Sequence, residues 1–217
     1  AGLDTVALRM PAHPCALALV SRAGPVAAPS ANLSGRPSPT RAEHVFADLG
    51  GRIPLILDGG PCEKGLESTV LDITGEVPVI LRPGHVTAAD IAAVAGDVGL
   101  SPGVLGPLPE GSKAVSPGVM HRHYAPLSRV TVFLGEEEAV RASMAGEYEK
   151  LEEAGFRPLM VGIGAFLGYE SRTAADMEAL ARDFYAILLE SEKEYTHLLV
   201  QGVDGQGVGL ALMNRAL

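Results

Sequence analysis

The residues with most chemical reach lie in one run, Ala28-Pro29-Ser30-Ala31-Asn32-Leu33-Ser34-Gly35-Arg36-Pro37-Ser38-Pro39-Thr40. The pattern predicts a small-residue strand over 25–29 before it and a helix over 40–49 after it, with Thr40-Arg41-Ala42-Glu43 matching a capping box. Hydroxyls and uncommitted backbone N–H groups at a helix start attract anions, because donors and dipole point the same way. Helix capping needs only Ser38 or Thr40 and leaves Ser30, Asn32 and Ser34 without a task. Phosphate or carboxylate binding and plain capping both stay open on this loop alone.

Two arginines stand where a pocket can use them. Alternation over 5–10 puts Thr5, Ala7 and Arg9 on one strand face and Val6, Leu8 and Met10 on the other. Arg9 is then a solvated edge or a carboxylate clamp. Arg82 ends an apolar strand in Leu81-Arg82-Pro83-Gly84, at the lip where open α/β sheets commonly bind ligands. Each also reads as an ordinary surface residue. In Gly65-Leu66-Glu67-Ser68-Thr69-Val70, Ser68 and Thr69 must face opposite ways, so one of them can meet a ligand.

Other chemistries find little support. His121 and His123 form an H-x-H pair with no nearby acid or thiol to complete a ligand set, so no metal site is expected. Cys62, two residues before Lys64, lacks a neighbouring Cys or His and reads as an inert loop cysteine. No Ser-His-Asp or paired-carboxylate pattern stands out, and no catalytic side chain is named. The chemistry must rest on positioning and charge.

Three segments position these residues. Residues 1–96 hold seven Lys/Arg and nine Asp/Glu, with strands expected over 5–10, 25–29, 53–57, 68–73 and 77–81 and helices over 14–21, 40–49 and 88–95. Residues 97–127 hold five Gly and five Pro without helical or strand period, which reads as a long linker or lid. Residues 128–217 hold eight basic and 15 acidic residues and alternate strand and helix, as in a small parallel α/β sheet. There, strands are expected over 129–134, 158–163 and 197–200. Helices are expected over 136–154, from a capping box at Thr173-Ala174-Ala175-Asp176 to about 194, and over 209–216. Gly162-x-Gly164 and Gly205-x-Gly207-x-Gly209 fall short of a dinucleotide fingerprint and read as tight turns.

The whole chain, 217 residues with 47% hydrophobic and 20% charged, is too apolar for a disordered protein. Its net charge of −9 makes it a poor generic partner for nucleic acid or an anionic membrane. Two cysteines and no visible signal or membrane-length apolar run make a cytoplasmic setting the expectation.

Several strings together resemble the YrdC-type threonylcarbamoyl-AMP synthases. They are Thr5-Val6-Ala7-Leu8-Arg9, the 29–35 loop with Ser38-Pro39-Thr40, Gly65-Leu66-Glu67-Ser68-Thr69-Val70 and Leu81-Arg82-Pro83-Gly84. Ser116-Pro117-Gly118-Val119-Met120-His121-Arg122-His123-Tyr124-Ala125-Pro126 and the ending Gly209-Leu210-Ala211-Leu212-Met213-Asn214-Arg215 resemble the long, two-domain branch. The resemblance implies an α/β fold: a YrdC-like mixed twisted sheet over 1–96, a linker or lid over 97–127, and a small Rossmann-like parallel α/β domain over 128–217. It also implies synthesis of L-threonylcarbamoyl-adenylate and pyrophosphate from L-threonine, bicarbonate and ATP with Mg²⁺, for modification of tRNA. Thr5, Ser30, Asn32, Ser38 and Arg82 would contact ATP, with Tyr124 reaching over it from the lid. Arg9, the Ala28 backbone and Ser68 would hold threonine. The implied partners are these substrates and the downstream threonylcarbamoyl-transfer machinery, with neither a membrane nor strong direct nucleic-acid binding.

Alternatives of other classes are an RNA-binding translation-factor-like module, which the acidic charge disfavours, and a non-catalytic partner-binding fragment. The related carbamoyl-adenylate domain of hydrogenase maturation proteins lacks the lid and second domain and carries cysteine pairs absent here. One family feature is missing: a lysine-x-arginine pair that grips the nucleotide's phosphates, which no lysine of this sequence forms. The expectation is a catalytic domain present only in its C-terminal part, with weak ATP binding. The 217-residue chain should therefore release little or no pyrophosphate with threonine, bicarbonate and ATP. Robust threonine- and bicarbonate-dependent release from it overturns that expectation.

Overall fold

A computed structural model describes residues 4–105 and 126–217. The second part of the chain forms a parallel sheet because its apolar runs can only be buried between layers of amphipathic helix. Strands β4 (Arg129–Phe133), β5 (Pro158–Ile163), β6 (Ser171–Ala174) and β7 (His197–Gln201) lie in the order β4-β7-β5-β6, all parallel. The two central strands, β5 and β7, carry the unbroken apolar runs, and Leu159, Met160, Val161, Leu198, Leu199 and Val200 are buried.

Helices cover both faces. Helix α5 (Glu137–Glu153) carries Glu137 and Glu138 in its first turn and Lys150 in its last, matching its dipole. Its buried residues Val140, Met144 and Tyr148 recur every fourth position and pack on Met160 and Leu199. Helix α6 (Met177–Ser191) starts at Asp176, whose carboxylate accepts from the Ala179 N–H at 2.8 Å. Leu180, Phe184 and Leu188 of α6 join Leu159, Val161, Leu198 and Val200 in the main core. Helix α7 (Gly207–Ala216) adds Leu212 and Met213 to that core.

The first part is a smaller mixed sheet, β1 (Val70–Asp72), β2 (Val79–Arg82) and β3 (Gly99–Leu100), antiparallel between β1 and β2 and parallel between β2 and β3. Helices α1 (Pro14–Ala23), α2 (Ala42–Leu49), α3 (Ala88–Ala95) and α4 (Pro102–Leu105) accompany it. Its core is small: Ile80, Ile91 and Val104, with Leu210 of α7 packed against them. In exchange, Leu66 from the first part packs against the main core. The expected α/β fold, with a mixed and a parallel sheet, is the observed one.

Several elements differ from expectation. Residues 5–10, 25–29 and 53–57 are not strands. Residue pattern, alternating at 5–10 and small or apolar in the other two runs, is a local signal; a strand also needs a hydrogen-bonded neighbour, and these runs have none among the described residues. Val6, Leu8 and Met10 are accordingly 79%, 89% and 82% exposed. Thr173, expected to cap a helix, lies in β6, and Asp176 takes the capping role. Helix α2 begins after Arg41 without a side-chain cap; the Thr40 N–H instead donates to His44 Nδ1 at 3.3 Å. Residues 99–105, read as the start of the linker, form β3 and α4, while most of the linker lies outside the described residues.

Leu212, fully buried where α7 meets α6 and the sheet, gives the core a direct test. Leu212→Ala should cost about 2–5 kcal/mol in urea unfolding. The exposed Leu134→Ala should stay within about 0.5 kcal/mol of the parent.

Candidate functional site

The segment leading into β1 is wedged from two sides. Gly65 takes a left-handed φ of 73°, and a Cβ there would lie 1.8 Å from the Arg182 carbonyl oxygen of α6. From the other side Gly84 presses on it, and a Cβ there would lie 2.2 Å from the Thr69 nitrogen. Only glycine permits either approach. Thr69 turns inward and donates its hydroxyl to the Val86 carbonyl at 2.6 Å, leaving Ser68 exposed. Arg82 grips the same segment, with Nη2 and Nε donating to the Ser68 carbonyl at 3.0 and 3.3 Å.

Glu67 lies at the centre of this arrangement. Ser38 donates its hydroxyl to Glu67 Oε1 at 2.6 Å, and Tyr185 of α6 donates to Oε2 at 3.0 Å. Arg215 of α7 donates from Nε to Oε2 at 2.9 Å, from Nη2 to the Pro83 carbonyl at 2.9 Å, and from Nη1 to Asn214 Oδ1 at 2.7 Å. One carboxylate thus joins the polar loop, the Ser68 segment and both late helices.

Of the residues expected at the site, Ser38, Ser68 and Arg82 come together here. Thr5, Arg9, Ala28 and Ser30 are exposed on chain that is neither helix nor strand. Arg9 is near enough to Cys62 to act on its thiol, and the Cys62 N–H donates to the Thr40 carbonyl at 2.8 Å, which ties this region to the polar loop. Burial nonetheless pushes the Cys62 thiol up, against the opposing charge of Arg9. Asn32 turns into its own loop: its amide donates to the Leu33 and Arg36 carbonyls at 2.8 and 3.1 Å. Tyr124, like His121 and His123, lies outside the described residues.

A second junction binds the same loop to α6. Arg36 pairs with Glu192 and with Asp48, the latter at 3.1 Å, and Glu192 Oε2 accepts the Leu127 N–H at 2.9 Å. Arg41 Nη1 lies 2.6 Å from Glu190. Glu67, Arg215, Tyr185, Arg36 and Glu192 carry no role in the sequence reading. Glu67 and Arg215 do stand inside two of the motifs quoted, and a lone acid and a lone base among apolar residues is the signal that marks them. An open depression of about 830 Å³, lined by Tyr148, Glu149, Glu152 and Tyr169 among others, shares no residue with this site.

The electrostatics follow from the donors. Burial pushes the Glu67 carboxyl up, but the Arg215 guanidinium and the hydrogen bonds from Ser38 and Arg215 outweigh it and hold it below the usual carboxylate range. A carboxyl lowered in the folded state stabilises fully above its unfolded value of about 4.3 and loses that contribution as pH falls through the folded value. The stability gap between the parent and Glu67→Gln should therefore be largest near neutrality, on the order of 3–5 kcal/mol, and narrow below about pH 4.3. Urea unfolding of both proteins between pH 7 and 3 checks this, and a gap independent of pH contradicts it.

Comparison with known proteins places this geometry in a family. A family model described as "Telomere recombination" matches residues 1–84, and one described as "Threonylcarbamoyl-AMP synthase, C-terminal domain" matches residues 86–217. A threonylcarbamoyl-AMP synthase of Pyrococcus abyssi is 42% identical over 217 residues, covering 99% of this chain and 63% of its own length. That of Bacillus subtilis is 40% identical over 222 residues, covering 100% of this chain and 63% of its own length. A crystal structure of P. abyssi Sua5 complexed with L-threonine matches with a TM-score of 0.90 at 41% identity, covering 99% of this chain and 64% of that one. The chain thus spans 63% of the length of both curated relatives. It belongs to the threonylcarbamoyl-AMP synthase family.

Proposed function

We propose that this chain carries the threonine- and nucleotide-facing part of an L-threonylcarbamoyladenylate synthase, which joins L-threonine, bicarbonate and ATP and releases pyrophosphate. The observation that carries the reading is the convergence of Ser38, Ser68 and Arg82 on one segment around the Glu67 carboxylate. The likeness to P. abyssi Sua5, whose crystal structure contains L-threonine, supports threonine as the ligand.

In this chemistry the threonine amine attacks the bicarbonate carbon, and water leaves as the carbamate forms. A carbamate oxygen then attacks the α-phosphorus of ATP, and the bond to the departing pyrophosphate breaks. Nothing in these steps requires a covalent bond to the protein. The work of the chain is to hold the reactants in line and keep water from the labile carbamate. Arg9 forks the threonine carboxylate, while the Ala28 backbone and the exposed Ser68 hydroxyl hold its polar groups. Thr5, Ser30, Asn32, Ser38 and Arg82 face the nucleotide. Asn32 acts mainly by shaping the loop, since its amide is spent on two loop carbonyls.

The lid of this reading, with Tyr124 over the nucleotide, falls outside the described residues, while 99–105 belong to the first part as β3 and α4. Mg²⁺ accompanies the triphosphate, but among the described residues no three Asp, Glu, His or Cys side chains converge on a metal position. The described residues do not build a metal cage, and no step is assigned to the ion. Among the described residues no helix is long and apolar enough to cross a membrane. A cytoplasmic product, passed to the machinery that modifies tRNA, completes the proposal.

Calorimetric titration of L-threonine into the chain tests the assignment. Arg9→Ala should weaken binding roughly 10- to 100-fold, the worth of a charge-assisted pair. Ser68→Ala should weaken it by about 3- to 10-fold. Absence of saturable binding by the folded parent chain at millimolar threonine overturns the threonine site.

A further inference from the structure

The small domain reaches the candidate site through the Tyr185 hydroxyl and the Arg215 guanidinium, and only Arg215 touches two segments of the first part. Arg215 sits on α7, the last helix, and its side chain is only 1% exposed. Two of its nitrogens leave the domain: Nε holds the Glu67 carboxylate and Nη2 the Pro83 carbonyl, each at 2.9 Å. These contacts fall inside two motifs of the first part, each beside an expected site residue. Glu67 is the residue before Ser68, and Pro83 is the residue after Arg82. Arg82 in turn grips the Ser68 carbonyl, so the four residues close a ring through Arg215. The Ser38 hydroxyl, on the opposite Glu67 oxygen, brings the polar loop into the same ring.

We infer that Arg215 is a positioning residue of the candidate substrate site: through Glu67 and Pro83 it sets the separation and orientation of Ser68 and Arg82. This role rests on the substrate assignment proposed above. A guanidinium suits it where an ammonium would not, because its planar fork holds two acceptors at fixed angles. The alternative is that Arg215 merely fastens two domains together. Two features favour positioning. The Arg215 contacts fall next to the site residues in sequence, and the backbone there is so closely packed that Gly84 admits no Cβ against Thr69. A displacement at Glu67 or Pro83 therefore passes directly to Ser68 and Arg82, and shifts of about 1 Å suffice to cost on the order of 10²-fold in function.

Arg141 supplies the control. It also donates to two carbonyls, those of Ile163 and Ala165, and pairs with Glu137, but entirely within the small domain. The test compares Arg215→Lys, Arg215→Met, Tyr185→Phe and Arg141→Lys in the full 217-residue chain, by L-threonine titration, amide hydrogen exchange and thermal unfolding. Arg215→Lys keeps the charge and the fold but loses the double grip. It should weaken threonine binding about 10-fold and speed exchange at 66–69 and 82–86. Tyr185→Phe, which leaves Arg215 in place, should weaken binding less than 3-fold. Arg141→Lys should lower the melting temperature without changing threonine affinity or exchange at those positions. The proposal is overturned if Arg215→Lys binds threonine as the parent does, or loses affinity only in proportion to stability, as Arg141→Lys reports. If the parent chain does not bind threonine, the substrate assignment fails, and exchange alone judges Arg215. Selective opening at 66–69 and 82–86 then upholds its positioning role, and exchange equal to that of Arg141→Lys removes it. Should Arg215→Met fail to fold, Arg215→Lys and Tyr185→Phe decide the matter.

Discussion

A carboxylate taken largely out of water must be paired, and the arrangement of this molecule follows from how the half-buried Glu67 is paired. Removing a carboxylate from water costs several kcal/mol unless charge and donors replace the lost hydration. Glu67 receives three hydrogen-bond donors and one positive charge, and they come from three separate stretches: Ser38, Tyr185 and Arg215. Satisfying one acid therefore fixes the polar loop and two helices of the small domain against the strand that Glu67 leads into. The apolar contacts across the junction are slight by comparison. Leu66 enters one core and Leu210 the other, while the first part's own buried cluster holds only Ile80, Ile91 and Val104.

The distribution of charge takes on meaning at this junction. Most of the chain's excess acid lies in residues 128–217, and as a bulk property it looks like solubility alone. Two of those acids, Glu190 and Glu192, instead meet arginines of the first part, with Arg41 on one and Arg36 on the other. The reverse polarity holds at Arg215 and Glu67. The two junctions thus cross, acid to base and base to acid, so a rotated or shifted docking would bring like charges together. Glu192 also accepts the Leu127 N–H, which places the end of the linker in the second junction.

How much of this was legible in the sequence depended on the range of the interaction. The run over 158–163 is β5 to the residue, and 88–95 is α3, because apolar period and local caps decide both. The runs at 5–10 and 53–57 read as strands from residue pattern alone, alternating in the first and apolar in the second, but neither pattern supplies the neighbour that makes a strand. Strand β6 was missed because Thr173 and Asp176 mimic a capping box, whereas Asp176 is itself the cap. At the site, Ser38, Ser68 and Arg82 were recognisable by residue type and setting. Glu67 and Arg215, 148 positions apart, were visible only as unexplained charges in apolar strings, since nothing local pairs them.

Why polar groups hold this junction, when apolar packing is the cheaper source of stability, has a physical answer. Apolar burial is nondirectional: leucines at the same interface would tolerate a slide of an ångström with little penalty. An ion pair of this kind adds little net stability over well-packed hydrophobic residues, but it is unforgiving of geometry, because any slip leaves a buried charge short of partners. The Glu67 ring is therefore better understood as a device for register than for strength. Gly65 and Gly84 make the same point from the backbone, since each admits an approach so close that no side chain could share it. A site that works by aligning reactants, without a covalent intermediate, needs that kind of constraint more than it needs added stability.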